Sequence, residues 1–307
     1  MKRITDSMPN LMPLYFHKIL LLLCVLLVAE LGNIRLISAR LIEASPLPKI
    51  TIIIDDLGDN QTLGLRTARL PKNVALSILP HTPYSRQIAT FGHQRGMDIL
   101  LHQPMESLTR IDLLGPGALL EDMQRLEFAK ILENNINAVP FVIGINNHMG
   151  SLLTTDIEKM NWLMAELKQR AIFFIDSRTT SDSIAGDIAY YWQIPTMSRR
   201  IFLDHYDDPE AIAKQFSLLL KLAKKNGHAV AIGHPRKQTL QFLEQKLPQL
   251  EALGFELVST SEMIKGQQLA AINPSFSDRG CYQPQLRYFM DIQQLYTFES
   301  NFNCSDY

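Results

Sequence analysis

The sequence predicts an α/β protein, a TIM-like (β/α) barrel of about seven parallel strands. Three observations predict it. Apolar runs of strand length recur along the chain, as a parallel sheet buried on both faces requires. Helical patterns stand between those runs, the order of repeated βαβ units. Nearly every run also ends in a polar group fit for chemistry. A barrel gathers such groups at its C-terminal mouth, whereas an open sheet gathers them mainly at its switch point.

Taken in order, Ile50–Ile54 leads into Asp55 and Asp56, and Val74–Leu79 leads to His81. Asp98–Leu101 ends in His102, with Glu106 beyond it, and Phe141–Ile145 runs into Asn146, Asn147 and His148. Ile172–Ile175 ends in Asp176 and Arg178, a weaker run at Ile201–Leu203 in Asp204 and His205, and Ala229–Ile232 leads to His234. A last run lies at Glu256–Val258. Between them, Thr155-Asp-Ile-Glu158 reads as a capping box opening a helix with Met160, Leu163, Met164 and Leu167 on one side. Pro209 follows Asp207 and Asp208 at the first turn of another helix, which carries Ile212, Phe216, Leu219 and Leu220 and ends at Gly227. Leu240, Leu243, Leu247 and Leu250 form a further stripe, closed by Gly254.

The ends of the chain break this pattern. Lys2, Arg3 and Lys18 precede an apolar run from Ile19 to Ala29. That run is short for a bilayer span of ~20 residues but suits a signal-peptide core. An exported protein, periplasmic or extracellular, is expected, its segment 1–45 being a cleaved leader or a retained membrane tether and linker. Ser38, Ala39, Ala44 and Ser45 offer cleavage points, and Leu23 before Cys24 argues against lipidation. The barrel is expected over 46–265, with a polar, aromatic extension over 266–307. Cys281 and Cys304 in that extension are either a disulfide or two free thiols. The 30 basic and 31 acidic residues form no basic stripe, which excludes nucleic acid as an expected partner.

The chemistry concentrates at the strand ends. Asp55 and Asp56 are adjacent carboxylates, and neighbours in a strand point to opposite sides. A turning backbone would let both reach one rim, where one can hold a metal and the other take a proton from water. The competing reading is a helix cap plus a solvated carboxylate. The His102-x-x-x-Glu106 spacing resembles a helical ligand pair, but Pro104 argues for a loop. An aspartate with His102 and His148, leaving a coordination position open, suits zinc or another divalent transition metal. His234, between Gly233 and Pro235, could protonate a leaving group or stabilise an anionic intermediate, or simply satisfy a turn. Arg178 could hold Asp55 or a substrate oxygen, or form a rim salt bridge with Asp176. His81 and His205 are weaker candidates, and His17, His93 and His228 read as bystanders.

These stretches carry a resemblance. The set Ile54-Asp-Asp-Leu-Gly58, Leu101-His-Gln-Pro-Met-Glu106, Gly144-Ile-Asn-Asn-His-Met-Gly-Ser151, Phe174-Ile-Asp-Ser-Arg178 and Ile232-Gly-His-Pro235 resembles the divergent polysaccharide deacetylases, a distant branch of the carbohydrate esterases with a nodulation-type deacetylase domain. It runs in order from about Ile50 to Met263. It implies a distorted β/α barrel, a divalent metal, and removal of acetyl groups from a polysaccharide. It also implies Asp55 as base, Asp56 as ligand and His234 as the group assisting departure of the sugar. Better-known relatives take two ligands from one His-x-x-x-His motif, where this chain has His102 and then Glu106. His148 is the expected replacement, with Glu106 as fallback. The altered motif also leaves open a non-catalytic envelope protein that binds glycan or a partner through the same groove.

Overall fold

The computed structural model describes residues 46–272, with side chains to residue 267. The expected leader, most of the C-terminal extension, and Cys281 and Cys304 lie outside the described residues. Strands and helices alternate. They are β1 (Lys49–Leu57), α1 (Gln61–Thr67), β2 (Ala75–Ile78), α2 (Ser85–Gln94), β3 (Ile99–Met105), α3 (Arg125–Ala138), β4 (Val142–Met149), α4 (Ile157–Arg170) and β5 (Phe173–Asp176). There follow α5 (Ala185–Tyr191), β6 (Thr196–Ser198), β7 (Ile201–Phe202), α6 (Pro209–Asn226), β8 (His228–Gly233), α7 (Lys237–Lys246), β9 (Glu256–Leu257) and α8 (Thr260–Ile272).

All strand pairings are parallel, in the order β6-β5-β4-β3-β2-β1-β8-β7. The strands curl into a TIM-like half-barrel with eight strands on this path, and β9 pairs with the start of β1. Every apolar run expected to be a strand is one. Thr196–Ser198 is an additional strand that the sequence reading did not anticipate. β6 and β7, at the two ends of the path, are separated by Arg199 and Arg200 alone. The Arg199 N–H donates to the Asp176 carbonyl and the Arg200 N–H to the Val230 carbonyl, each at 2.9 Å. One extended segment therefore passes from the edge of β5 to the edge of β8.

Two apolar clusters fill the fold. The larger joins outward-facing strand residues such as Ile52, Ile54, Leu76, Leu101 and Phe174 to the helices. The smaller lies in the lumen and includes Ile53, Ala75, Leu100, Ile175, Val230 and Ile232, closed by Met263 and Ile264 of α8. The period of two along a strand carries this lumen face upward to polar groups. Ile53 is followed by Asp55, Ala75 by Ser77, Leu100 by His102, Ile175 by Ser177 and Ile232 by His234. The hydrophobic floor and the polar site are thus one continuous face of the same strands.

Helix starts follow local chemistry. Asp208 caps α6 by accepting from the Ala211 N–H, with Pro209 in the first turn, and Gly227 ends the helix in the left-handed conformation, as expected. The cap of α4 is Asp156, which accepts from the Lys159 N–H, rather than Thr155 of the anticipated capping box. Pro104 does not break β3, which runs on to Met105 with Pro104 opposite His148.

Candidate metal centre at the barrel mouth

Asp55 and Asp56 meet one rim because the backbone turns between them. Alternation sends Asp55 into the lumen and would send Asp56 out. Instead Asp56 has φ 55, the left-handed region that few residues other than glycine adopt. The register between β1 and β2 shifts in the same stretch, between Ile54 and Leu57. Gly58 follows at φ 136. The cap of α1 is Asn60, whose side chain accepts from the Leu63 N–H, so neither aspartate is used as a helix cap.

Three donor atoms converge. Asp56 Oδ1 lies 3.1 Å from His102 Nε2 and 2.9 Å from His148 Nδ1, and the two nitrogens are 3.2 Å apart. Among the described residues, these three form the group of side chains spaced to hold a metal ion. Asp56 Oδ1 is buried and accepts no hydrogen bond of good geometry, although two ring nitrogens face it. A buried carboxylate oxygen without a hydrogen bond, faced by two ring nitrogens, has the donor chemistry of a cation site. Bonds of about 2.0–2.2 Å to a tetrahedral or octahedral ion put neighbouring ligand atoms about 3 Å apart, so the residues present fit a divalent transition metal.

The surroundings fix which lone pairs face inward. Asn146 Nδ2 donates to Asp55 Oδ1 at 2.8 Å and lies 3.2 Å from Ser177 Oγ. A carboxylate can only accept, so the amide oxygen is the atom turned toward His102, at 3.0 Å from its Nδ1. That oxygen also accepts from Ser77 Oγ at 2.6 Å. His102 therefore carries a proton on Nδ1 and presents Nε2 to the centre. His148 Nε2 lies 3.3 Å from the Leu113 carbonyl, which turns Nδ1 inward. His234 Nδ1 donates to Asp204 Oδ1 at 2.9 Å, leaving Nε2 3.7 Å from Asp56 Oδ2. Asp204 is itself held by the His234 N–H at 2.8 Å and Thr239 Oγ1 at 2.7 Å.

The charges respond to this packing. Burial disfavours an ionised Asp56, but His102 and His148 beside it outweigh that and hold its carboxyl well below the usual range. Burial lowers the affinity of His102 for a proton, yet Asp55 foremost and then Asp56 overcome it and push the imidazole up to about 8. The pair of carboxylates thus demands positive charge between them. His234 is also shifted upward, its burial outweighed by Asp204 and Asp56. Asp204 is shifted down by His234 and Thr239 against its own burial.

Of the residues singled out from sequence, the structure brings together Asp55, Asp56, His102, His148 and His234. Glu106 is elsewhere: its carboxylate accepts from the Glu121 N–H at 2.6 Å. Four residues along a strand is about 13 Å, too far to share an ion with His102. Asp176 has the opposite parity to Ile175 and Ser177. It accepts from the Arg178 N–H at 2.8 Å and Ser183 Oγ at 2.9 Å, and burial raises its pKa. Arg178 turns its guanidinium to the Ser181 and Ser183 carbonyls. His81 pairs with Asn135 at 2.9 Å, and His93 stacks on Phe141. The organising roles of Asn146, Ser77 and Asp204 were not read from sequence, although Asn146 and Asp204 stand at strand ends where such partners are sought.

Fold and site together define a class: a TIM-like α/β protein with a candidate Asp–His–His metal centre on a polar lumen face. Residues 52–264 match the family described as divergent polysaccharide deacetylase, and the chain belongs to that family. It is 32% identical over 249 residues to the uncharacterized protein YibQ of Escherichia coli, covering 79% of this chain and 76% of that protein. It is 32% identical over 226 residues to an uncharacterized protein of Haemophilus influenzae, covering 74% and 80%. A solved structure of an uncharacterized Agrobacterium tumefaciens protein shares the fold, with a TM-score of 0.69, 20% identity, and coverage of 72% of this chain and 91% of that one. No helix among the described residues is long and apolar enough to cross a membrane.

Proposed function

We propose that this protein is a metal-dependent deacetylase of a cell-envelope polysaccharide, exported to act on it. The observation that carries the reading is Asp56 Oδ1, buried without a hydrogen bond between His102 Nε2 and His148 Nδ1. Family membership supplies the reaction class. Asp56, His102 and His148 would hold the ion, with zinc the expected metal. Such a centre supplies an acidified water and a Lewis acid for the acetyl carbonyl.

The chain's own groups supply the rest. Asp55, held by Asn146, keeps Oδ2 3.7 Å from His102 Nε2, beside the centre. It is the base that takes the proton from the attacking water. His234 stands across the centre with Nε2 toward Asp56, 3.7 Å from Oδ2. Asp204 holds its ring and favours its protonated form, so His234 delivers a proton to the departing sugar nitrogen or oxygen. The lumen floor of Ile53, Leu100 and Ile232 lies directly beneath, and it excludes water from below.

Acetate release from acetylated glycans, measured with zinc, cobalt or manganese supplied, tests the reading. Turnover is expected from the parent chain and loss of more than 99% of it from Asp55→Asn. His148→Ala is expected to lose the bound metal and Glu106→Ala to keep it. Glycan binding without turnover under every metal, surviving Asp55→Asn, would replace the hydrolase with a binding protein on the same barrel.

A further inference from the structure

We propose that the groove along β7 is a subsite for a carboxylate-bearing sugar on the same glycan strand as the acetylated one. The proposal rests on the glycan-directed reading of the site and names the kind of glycan. The groove holds about 460 Å³ and is lined by residues of the 199–206 segment and of α6. β7 pairs only with β8 among the described residues, which leaves its other edge open.

An aromatic row leads from the candidate centre into this groove. The rings of His234 and Phe202 are 5.0 Å apart, those of Phe202 and His205 6.1 Å, and those of His205 and Tyr206 4.7 Å. Tyr206 is 68% exposed, so its ring is accessible to a ligand in the groove. Aromatic rings beside a groove suit the apolar C–H faces of sugars, and His205 and Tyr206 add polar groups that can bond a hydroxyl. A glycan whose acetyl group sits at His234 would run over Phe202 toward Tyr206.

The charge of the groove is one-sided. Arg199, Arg200 and Lys214 line it, and no carboxylate does. Arg199 is committed: its guanidinium donates to the Ser177 and Arg178 carbonyls and lies over the Phe202 ring at 5.1 Å. Arg200 and Lys214 are not. Among the described residues neither side chain takes part in an ion pair or a hydrogen bond to an acid. In a chain of net charge −1, two unmatched cations flanking an aromatic groove select an anionic ligand. A carboxylate fits the planar fork of Arg200, and a sugar fits the rings.

The test compares a hyaluronan hexasaccharide, which alternates acetylated and carboxylate-bearing sugars, with its carboxyl-reduced neutral counterpart. Binding to the zinc-supplied full chain is measured by calorimetry at low and high salt. The acidic form is expected to bind at least tenfold tighter, with the margin shrinking as salt rises. Arg200→Gln and Lys214→Gln each reduce that margin at least threefold and leave neutral binding within twofold. Tyr206→Ala weakens both ligands. These side chains are exposed, so each variant is expected to melt within two or three degrees of the parent. Equal affinity for the two forms, absence of acidic binding, or a margin untouched by both charge variants overturns the proposal. Acetate release without acidic preference defeats this inference alone. Acid-selective binding in the groove without acetate release defeats the hydrolase reading alone.

Discussion

Removing the Asn146 side chain is the sharpest test of how the centre is built. Its amide oxygen accepts from Ser77 Oγ at 2.6 Å and faces His102 Nδ1 at 3.0 Å, while its nitrogen donates to Asp55 at 2.8 Å. In Asn146→Ala the Ser77 hydroxyl can rotate to another partner, but the His102 ring cannot, since it is buried between strands. One donor is left unsatisfied, at a cost of about 1–3 kcal/mol, or the ring changes tautomer and withdraws the Nε2 lone pair. Loss of an outer-shell partner elsewhere costs about 10–100-fold in metal affinity, roughly 1.4–2.7 kcal/mol. The two ranges coincide, so zinc affinity of Asn146→Ala is expected to fall 10–100-fold. Ser77→Ala, which leaves the His102 contact intact, is expected to lose less than threefold. Competition against a chromogenic chelator measures the affinity, and nitrogen-15 NMR of the histidine rings reports the tautomer. Zinc affinity within twofold of the parent, with the Nδ1–H tautomer retained, would refute the reasoning.

The remaining predictions concern the proton relay, the proton–metal competition and the turn after β1. Asp204→Ala removes the acceptor that orients His234, so kcat for acetate release is expected to fall about 10²-fold with metal stoichiometry unchanged. A joint loss of metal and kcat would place Asp204 in ion binding instead. His102 must be neutral to ligate, and in the metal-free site it is pushed up to about 8. Below that pH the ion has to displace a proton, so zinc affinity falls as pH falls, about tenfold per unit, and levels off above it. A flat profile between pH 6 and 8 would contradict this. Gly58 sits at φ +136, and a Cβ there would lie 1.9 Å from Thr82 Oγ1. Gly58→Ala is therefore expected to lower unfolding free energy by more than ~1 kcal/mol, read by denaturant melts, with partial rescue by Thr82→Ala.

Much of this molecule is written in the order of its residues. Apolar runs of strand length marked every strand but β6, because a strand buried on both faces must be apolar throughout. β6 escaped notice because it is three residues long and reads Thr-Met-Ser. The polar residues after each run marked the mouth of the barrel, since a period of two carries a lumen face from Leu100 to His102 or from Ile232 to His234. The same parity, applied to Ile175 and Ser177, places Asp176 on the outer face. It was legible in principle once the strand ends were fixed.

Three decisions belong to the tertiary structure alone. The choice of His148 over Glu106 as His102's neighbour depends on the register of β3 against β4, which sets residues 46 apart in sequence within 3.2 Å. The inward turn of Asp56 depends on a left-handed backbone angle that the surrounding fold imposes and that an aspartate in isolation rarely adopts. The tautomers of His102 and His234 depend on Asn146 and Asp204, reached across strands. Local sequence sets what each residue prefers. Which groups meet is set by long-range pairing, whose free energy no short window of sequence contains.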